Sequence, residues 1–230
     1  MTRVVTLDRF KGKTSVFEDR EHAGELLADQ LIEYREDPLS LVVAIPAGGV
    51  PVGYVISSRL GLPFTLALTR KLHVPWNPEA GFGAVTWNGV VEINETLVSQ
   101  LRLSQVQVEE VIEKEKNEIK RRRKEYGLGE FPDIRDRHPI LVDDGLASGF
   151  SMIATLKAVR KYGPREVTVA VPTAPASSIE RLHAYADSIF CLNVRAGLFF
   201  AVASAYVRWH DLSNGEVKDY LKKIREEKKR

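Results

Sequence analysis

The sequence predicts an α/β protein in which a parallel sheet is covered by helices on both faces. Short apolar runs typical of buried strands, such as residues 40–45 and 139–142, alternate along the chain with segments of helical apolar spacing. Strands that alternate with helices favour parallel pairing. The 230 residues contain no internal repeat and no linker rich in Pro, Gly or Ser. We therefore expect a single domain over residues 1–230.

Helices and strands alternate from the start of the chain. Asp19 is expected to cap a first helix that ends before Pro38. Residues 40–45 then predict a strand, and a glycine turn opens a second helix that Gly61 ends. Residues 63–68 predict the next strand, so the first half of the sheet has two strands joined by a helix.

An insertion is predicted in the middle of the chain. Residues 82–93 alternate in polarity around Asn88-Gly89, a strong signal for a β-hairpin with a two-residue turn. Ser104 is expected to cap a long charged helix that reaches Tyr126 and carries a thin apolar stripe. The hairpin and this helix separate the two halves of the parallel sheet.

The second half of the chain returns to the alternation of strands and helices. Three further strands are predicted over residues 139–142, 166–171 and 188–194, with helices over 152–159 and 175–185. Ser213-Asn-Gly-Glu216 is a capping-box pattern that predicts a C-terminal helix.

The composition excludes several classes of protein. With 44% hydrophobic and 28% charged residues, the chain is typical of soluble globular proteins. Its longest apolar run, residues 196–207, falls short of the roughly 20 residues of a membrane span and is expected to be buried core. No signal peptide is recognisable, so a cytoplasmic location is expected. A net charge of +2 does not indicate nucleic acid, and the five histidines lack the spacing of a zinc site.

The most informative segment runs from His138 to Ser151. A short apolar strand leads into two carboxylates, Asp143 and Asp144, and then into a small-residue turn at the start of a helix. The free N–H groups and the positive end of the helix dipole favour a phosphate at such a turn. The residues of the turn are Gly145, Ala147, Ser148, Gly149, Phe150 and Ser151.

Each residue type in this turn suits an anionic sugar ligand. Gly145 and Gly149 let the backbone approach a phosphate, and Ser148 and Ser151 add hydroxyl donors. The two acids lie too near an anion to bind it, but they can accept hydrogen bonds from sugar hydroxyls or hold hydrated magnesium. The segment therefore predicts a site for a phosphorylated sugar.

The segment resembles the signature of type I phosphoribosyltransferases. That signature has four apolar residues, two acids, a glycine and a turn of the form Thr-Gly-x-Thr, where this chain has Ser148-Gly149-Phe150-Ser151. The resemblance implies that the turn holds the 5′-phosphate of 5-phosphoribosyl 1-diphosphate, and that Asp143 and Asp144 hold the ribose 2′- and 3′-hydroxyls. An ordinary βα turn would explain one acid and one glycine, but not the whole ordered string. A phospho-acceptor receiver domain also has an acidic pair, which would end its first strand.

A second glycine turn, Ala47-Gly48-Gly49, follows the first core strand and also opens a helix. Two such turns suit a ligand with phosphate at both ends, whereas a turn alone could be explained by tight backbone geometry. By resemblance this is the pyrophosphate loop. The likeness extends to residues 17–24, 70–72, 77–79 and 83–85, and so to a little-characterised branch of the family. Ala47 stands where the family pattern has arginine, which would bind pyrophosphate with two hydrogen bonds.

Other basic residues could restore the missing charge. Arg70 and Lys71 are expected to follow a strand end and to contact pyrophosphate. Residues 120–123, Lys-Arg-Arg-Arg, lie on the long helix, where a basic run is typically a solvated face.

The resemblance implies a phosphoribosyltransferase of nucleotide metabolism, which moves the 5-phosphoribosyl group to a nitrogen acceptor and releases pyrophosphate. Asp143, Asp144, Arg70 and Lys71 would be catalytic, and the two acids would hold Mg²⁺, through water or directly. The alternative is a sensor or regulator that binds the same donor or a nucleotide without catalysis, and Ala47 supports it. A homodimer is expected from the family alone.

The acceptor pocket of this family is built by a variable hood. The aromatic residues that could stack a planar base there are Phe199, Phe200, Tyr206 and Trp209. Core packing is the alternative role for these side chains.

Overall fold

The computed structural model describes residues 2–197 and 200–227, with the backbone alone at positions 78 and 79. Within this part of the chain, one sheet has six parallel strands. These are β1 (Arg3–Val5), β2 (Ser40–Ala44), β3 (Phe64–Leu66), β7 (His138–Val142), β8 (Thr168–Pro175) and β9 (Ser188–Arg195). Their order is β1-β9-β8-β7-β2-β3. The predicted parallel sheet is confirmed.

Helices cover both faces of this sheet. They are α1 (Arg20–Gln30), α2 (Gly49–Leu60), α5 (Phe150–Arg160), α6 (Ala176–Leu182) and α7 (Asn214–Glu227). Successive strand residues point to opposite faces, and β2 has both of its faces buried. Val42 and Ala44 pack in the core that α1, α2 and α7 share, whereas Leu41 and Val43 pack in the core formed with α5 and α6.

The predicted insertion is also present. Strands β4 (Thr69–Val74), β5 (Asn77–Thr86) and β6 (Val91–Ile93) form a separate antiparallel sheet. Helices α3 (Glu95–Gln100) and α4 (Gln105–Glu125) follow, and Ser104 caps α4 in a full capping box. The hairpin at Asn88-Gly89 and the long charged helix are therefore confirmed, but the predicted two-residue turn is wrong. Val85 pairs with Val91 and the Thr86 N–H donates to the carbonyl oxygen of Val90, so the turn has three residues, 87–89.

The position of Arg70 and Lys71 was predicted wrongly. They do not follow a strand end of the parallel sheet, because β3 stops at Leu66 and both residues lie inside β4. Arg70 pairs with Val85, and Lys71 pairs with Ala84, in the antiparallel register.

The expectation of buried core over residues 196–207 was also wrong. Among the described residues of this run, Ala205 and Tyr206 alone are buried. The chain leaves the sheet at the end of β9, and Val202–Ala205 form a short 3₁₀ turn outside it. We call residues 200–213 the hood segment. Ala205 and Tyr206 pack in the core that α1, α2 and α7 share, Val202 and Trp209 pack against that core, and Val207 is exposed.

The hood segment is attached to the start of α1. Phe17 and Tyr206 form a parallel bridge, and Val207 N–H donates to the carbonyl oxygen of Phe17 at 2.8 Å. No helix in the described part of the chain is both long and apolar enough to cross a membrane.

Candidate active site

The two predicted phosphate loops lie side by side at one edge of the parallel sheet. Strands β2 and β7 are neighbours, paired from Ser40 with His138 to Ala44 with Val142. Their carboxyl ends therefore meet, and the loop Ala47–Gly49 packs directly on the residues that follow β7. A Cβ added to Gly48 would overlap the Asp144 carboxylate.

Gly49 also approaches the same strand end closely, and there the contact is with backbone atoms. A Cβ added there would lie 2.5 Å from the carbonyl oxygen of Val142 and 2.9 Å from Cα of Asp143. Glycine at both positions is thus required by contact between this loop and residues 142–144. The peptide bond between Pro46 and Ala47, just before them, is cis.

Asp143 and Asp144 form a partly buried acidic pair between the loops. The Asp144 N–H donates to Oδ1 of Asp143 at 2.9 Å. Burial raises the pKa of the Asp143 carboxyl well above its ordinary value, and the neighbouring Asp144 charge raises it further. Burial also raises the pKa of Asp144, although the Arg20 guanidinium opposes this shift.

Arg20, at the start of α1, is the cation of this site. Its Nε donates to Oδ2 of Asp144 at 2.8 Å, and the two side chains are 8% and 13% exposed. Nη1 donates to the carbonyl oxygen of His210 at 2.9 Å, and the ring of Trp209 lies 3.8 Å from Cζ. The sequence prediction did not include Arg20, since its partner is 124 positions away. The sequence did offer one indication of its role, because Arg20 lies within residues 17–24, one of the segments that resemble the family.

The turn after β7 has the geometry expected of an anion site. Gly149 precedes α5 with φ of 83°, in the left-handed region. The carbonyl oxygen of Ala147 accepts from Ser178 Oγ at 2.6 Å, and that of Ser148 accepts from Arg181 Nη1 at 2.7 Å. These bonds hold the turn from the side of α6. The first N–H groups of α5 have no partner within a helix and can bind a phosphate.

Arg70 and Lys71 make contacts elsewhere. Arg70 Nε donates to Oε2 of the buried Glu115 on α4 at 2.8 Å. The Lys71 side chain is exposed and lies against Gly81. In the described chain, no contact joins either residue to the loop Ala47–Gly49.

The predicted aromatic residues divide into two groups. Tyr206 donates from its hydroxyl to the carbonyl oxygen of Asp144 at 2.6 Å, and Trp209 covers Arg20. Phe200 lies beside Arg195, with 5.1 Å between Cζ and the ring centroid. Phe199 lies outside the described residues.

Asp143 and Asp144 are suited to hold a magnesium ion that is also coordinated by a bound ligand. Carboxylate oxygens are ligands that Mg²⁺ prefers, and in phosphate sites it typically uses one or two of them together with substrate oxygens. The described residues contain no group of three or more His, Cys, Asp or Glu side chains that could hold an ion alone. Asp143 and Asp144 would therefore hold the ion jointly with a bound phosphate.

A family model described as "Phosphoribosyl transferase domain" matches residues 17–206, which include both loops, the acidic pair and Tyr206. The chain belongs to the phosphoribosyltransferase family. This confirms the resemblance found in the signature segment.

Two solved structures are similar to this chain. The crystal structure of TT1426 from Thermus thermophilus is similar with a TM-score of 0.72 and 33% identity, covering 90% of this chain and 98% of that one. The AQ2163 protein from Aquifex aeolicus, at 12% identity and a TM-score of 0.51 over 81% and 78% of the two chains, is similar in fold.

A curated relative is the Mycobacterium tuberculosis (strain H37Rv) protein named "Putative phosphoribosyl transferase". It is 34% identical over 212 residues, which cover 90% of this chain and 46% of the relative. The chain therefore spans about half the length of this curated phosphoribosyltransferase relative.

Proposed function

We propose that this protein transfers the 5-phosphoribosyl group from 5-phosphoribosyl 1-diphosphate to a nitrogen acceptor, a nucleobase-like compound, with release of pyrophosphate. One observation supports the proposal: the loop Ala47–Gly49 packs on Asp143 and Asp144, and this acidic pair leads directly into the second phosphate turn at residues 145–151. A ligand with a phosphate at each end and ribose hydroxyls between them matches this order of groups.

The reaction requires positioning more than covalent chemistry. The bond from ribose C1 to the pyrophosphate oxygen breaks, a bond from the acceptor nitrogen to C1 forms, and that nitrogen loses a proton to solvent. Positive charge develops on the ribose ring in the transition state, so groups that fix the ribose and receive negative pyrophosphate lower the barrier. Mg²⁺, when bound, would neutralise part of the pyrophosphate charge.

Most of the predicted site residues have a role in this proposal, but Arg70 has none, because its guanidinium is paired with Glu115. Residues 147–151 would hold the 5′-phosphate through the first N–H groups of α5. Asp143 and Asp144 would accept hydrogen bonds from the ribose hydroxyls, and residues 47–49 would receive pyrophosphate at the start of α2. We retain Lys71 as a contact of the pyrophosphate in the bound state, with less support than the loops, since it lies in β4.

The first test is binding of the donor. With magnesium, 5-phosphoribosyl 1-diphosphate should raise the melting temperature by mass action, because it binds the folded state. Ribose 5-phosphate should give a smaller rise. Release of pyrophosphate should then be measured against a set of nucleobases and small amines. No shift with millimolar donor, ribose 5-phosphate or nucleoside monophosphates would contradict the proposal.

The second candidate function is a sensor that binds the donor without catalysis. Ala47 favours it, because the pyrophosphate loop carries no cationic side chain of its own. A sensor would bind the donor and release no pyrophosphate with any acceptor. Enzyme and sensor are therefore separated by the same pair of measurements.

Changing Asp143 or Asp144 to Asn should weaken donor binding. Each variant loses a charge-assisted hydrogen bond to a ribose hydroxyl or to hydrated metal, worth about 1.5–3 kcal/mol. Titration calorimetry measures the loss, and Asp29→Asn is the control, since Asp29 forms an exposed ion pair with Arg59. Donor affinity equal to that of the unchanged protein in both variants would show that the acids are structural.

A further inference from the structure

We propose that Arg20 supplies the guanidinium that contacts the pyrophosphate end of the donor. This rests on the proposed function, since it assigns a residue to the same binding site. Arg20 is 6% exposed as a whole residue, so its charge is held inside the protein and not in solvent.

The position of Arg20 relative to the pyrophosphate loop is the first argument. Oδ2 of Asp144 is bound by Arg20 Nε at 2.8 Å, and the same carboxylate oxygen lies against the Gly48 backbone. The guanidinium and the loop therefore meet at one oxygen atom. A pyrophosphate bound to the loop would carry several negative charges, and the loop itself offers only backbone donors.

The hydrogen bonds of Arg20 leave one guanidinium nitrogen available to a ligand. Nε and Nη1 have partners, Asp144 and the carbonyl oxygen of His210. In the described chain, no residue accepts a hydrogen bond from Nη2. Arg20 also lines a cavity of about 240 Å³ together with Pro51, which lies in the first turn of α2 directly after the loop. A ligand at the start of α2 could therefore receive a hydrogen bond from this guanidinium.

Trp209 holds the guanidinium plane in place. Its ring lies 3.8 Å from Cζ of Arg20, within the range of a cation–π contact. A stacked arginine keeps its fork oriented before a ligand arrives, which reduces the entropy lost on binding. Trp209 is therefore a positioning residue for Arg20.

Other charges border the same cavity. The acids are Asp19, Glu21 and Glu216, and Arg208 is the second arginine. Arg208 differs from Arg20, because its side chain is 66% exposed and is paired with Glu18 and Asp19. It provides a matched control for a nonspecific effect of positive charge.

The alternative explanation is that Arg20 only neutralises the partly buried Asp144. In that case loss of Arg20 would disturb the acidic pair and weaken the binding of ribose 5-phosphate and of pyrophosphate equally. If Arg20 also contacts pyrophosphate, its loss should lower the affinity for pyrophosphate much more than the affinity for ribose 5-phosphate.

The test is to measure the affinities of inorganic pyrophosphate and ribose 5-phosphate separately, with magnesium, by titration calorimetry. Arg20→Gln should lower the affinity for pyrophosphate about 10-fold or more, which corresponds to the loss of one hydrogen bond between charged groups. The affinity of this variant for ribose 5-phosphate should change by less than about threefold. Arg208→Gln should change the affinity for neither ligand by more than that. Adding Ala47→Arg to Arg20→Gln should restore part of the pyrophosphate affinity.

A second variant keeps the test informative if Arg20→Gln does not fold. Arg20→Lys retains the charge beside Asp144 but loses the planar guanidinium with its several N–H donors. The affinity for pyrophosphate should therefore fall, while ribose 5-phosphate binds as before. Unchanged pyrophosphate affinity in a folded Arg20 variant, or equal loss of both ligands, would overturn the role of Arg20. An equal loss in Arg208→Gln would overturn it as well. Binding of neither ligand by the unchanged protein would instead overturn the proposed function, and the role of Arg20 with it.

Discussion

Gly49→Ala is expected to abolish measurable donor binding and to destabilise the fold. The new Cβ would lie 2.5 Å from the carbonyl oxygen of Val142 and 2.9 Å from Cα of Asp143, and both are backbone atoms. Neither can rotate away, so the loop and the end of β7 must separate. Overpacking of this kind costs about 1–3 kcal/mol of stability. A displacement of about 1 Å at a reacting site can lower the reaction rate by a factor on the order of 100.

Denaturant unfolding and donor titration measure the two effects of Gly49→Ala. Gly129→Ala is the matched control, because a Cβ at Gly129 would meet no heavy atom within 4 Å. We expect the control to bind the donor normally. Normal donor binding by a folded Gly49→Ala protein would mean that close contact between this loop and the end of β7 is not needed for the site.

Gly149→Val should abolish binding of ribose 5-phosphate. Gly149 has φ of 83° at the start of α5, where a β-branched side chain is strained by about 1–3 kcal/mol. Relief of that strain would rotate the turn and misalign the N–H groups that face the phosphate. Pyrophosphate should still bind at residues 47–49, so the two ligands are measured separately.

The chain contains a close control for Gly149→Val. Gly89 in the hairpin turn also has φ of 83°, and a Cβ there would meet nothing within 4 Å. Gly89→Val should therefore lose stability for the same backbone reason and retain ribose 5-phosphate binding. If both variants bind ribose 5-phosphate equally well, the 5′-phosphate site lies elsewhere.

Most of the fold could be predicted from the sequence, because its elements are set by local pattern. Alternating apolar runs and capping residues such as Asp19 and Ser104 predicted most of the helices and strands, but not β4 or α3. Strand β1 was missed, since three residues of which two are exposed carry no pattern. The strand predicted over 166–171 begins at Thr168 and runs on to Pro175, because pairing with β9 extends it beyond its most apolar part.

The site was predictable where its residues adjoin in sequence. Both loops follow a strand and open a helix, as their glycines and small residues indicated. Arg20 could not be assigned, because the sheet order and the hood segment create its contacts with Asp144 and Trp209. Arg70 was misplaced because β3 is shorter than its apolar run, and β4 turns the following residues toward α4. A single domain over residues 1–230 stays a prediction.

The aligned register of β2 and β7 has a consequence for engineering this protein. Five residue pairs, from Ser40 with His138 to Ala44 with Val142, fix where both strands end and thus the spacing of the phosphate loops. Slipping one strand by a single residue would move its end by about 3.3 Å and reverse every side chain. The hood segment is not part of that ladder. We therefore expect that acceptor preference can be redesigned through other residues of the hood segment, provided that Tyr206, Trp209 and His210, which contact Asp144 and Arg20, are kept. The spacing of the two phosphate loops, which sets the length of donor that fits, would then stay constant.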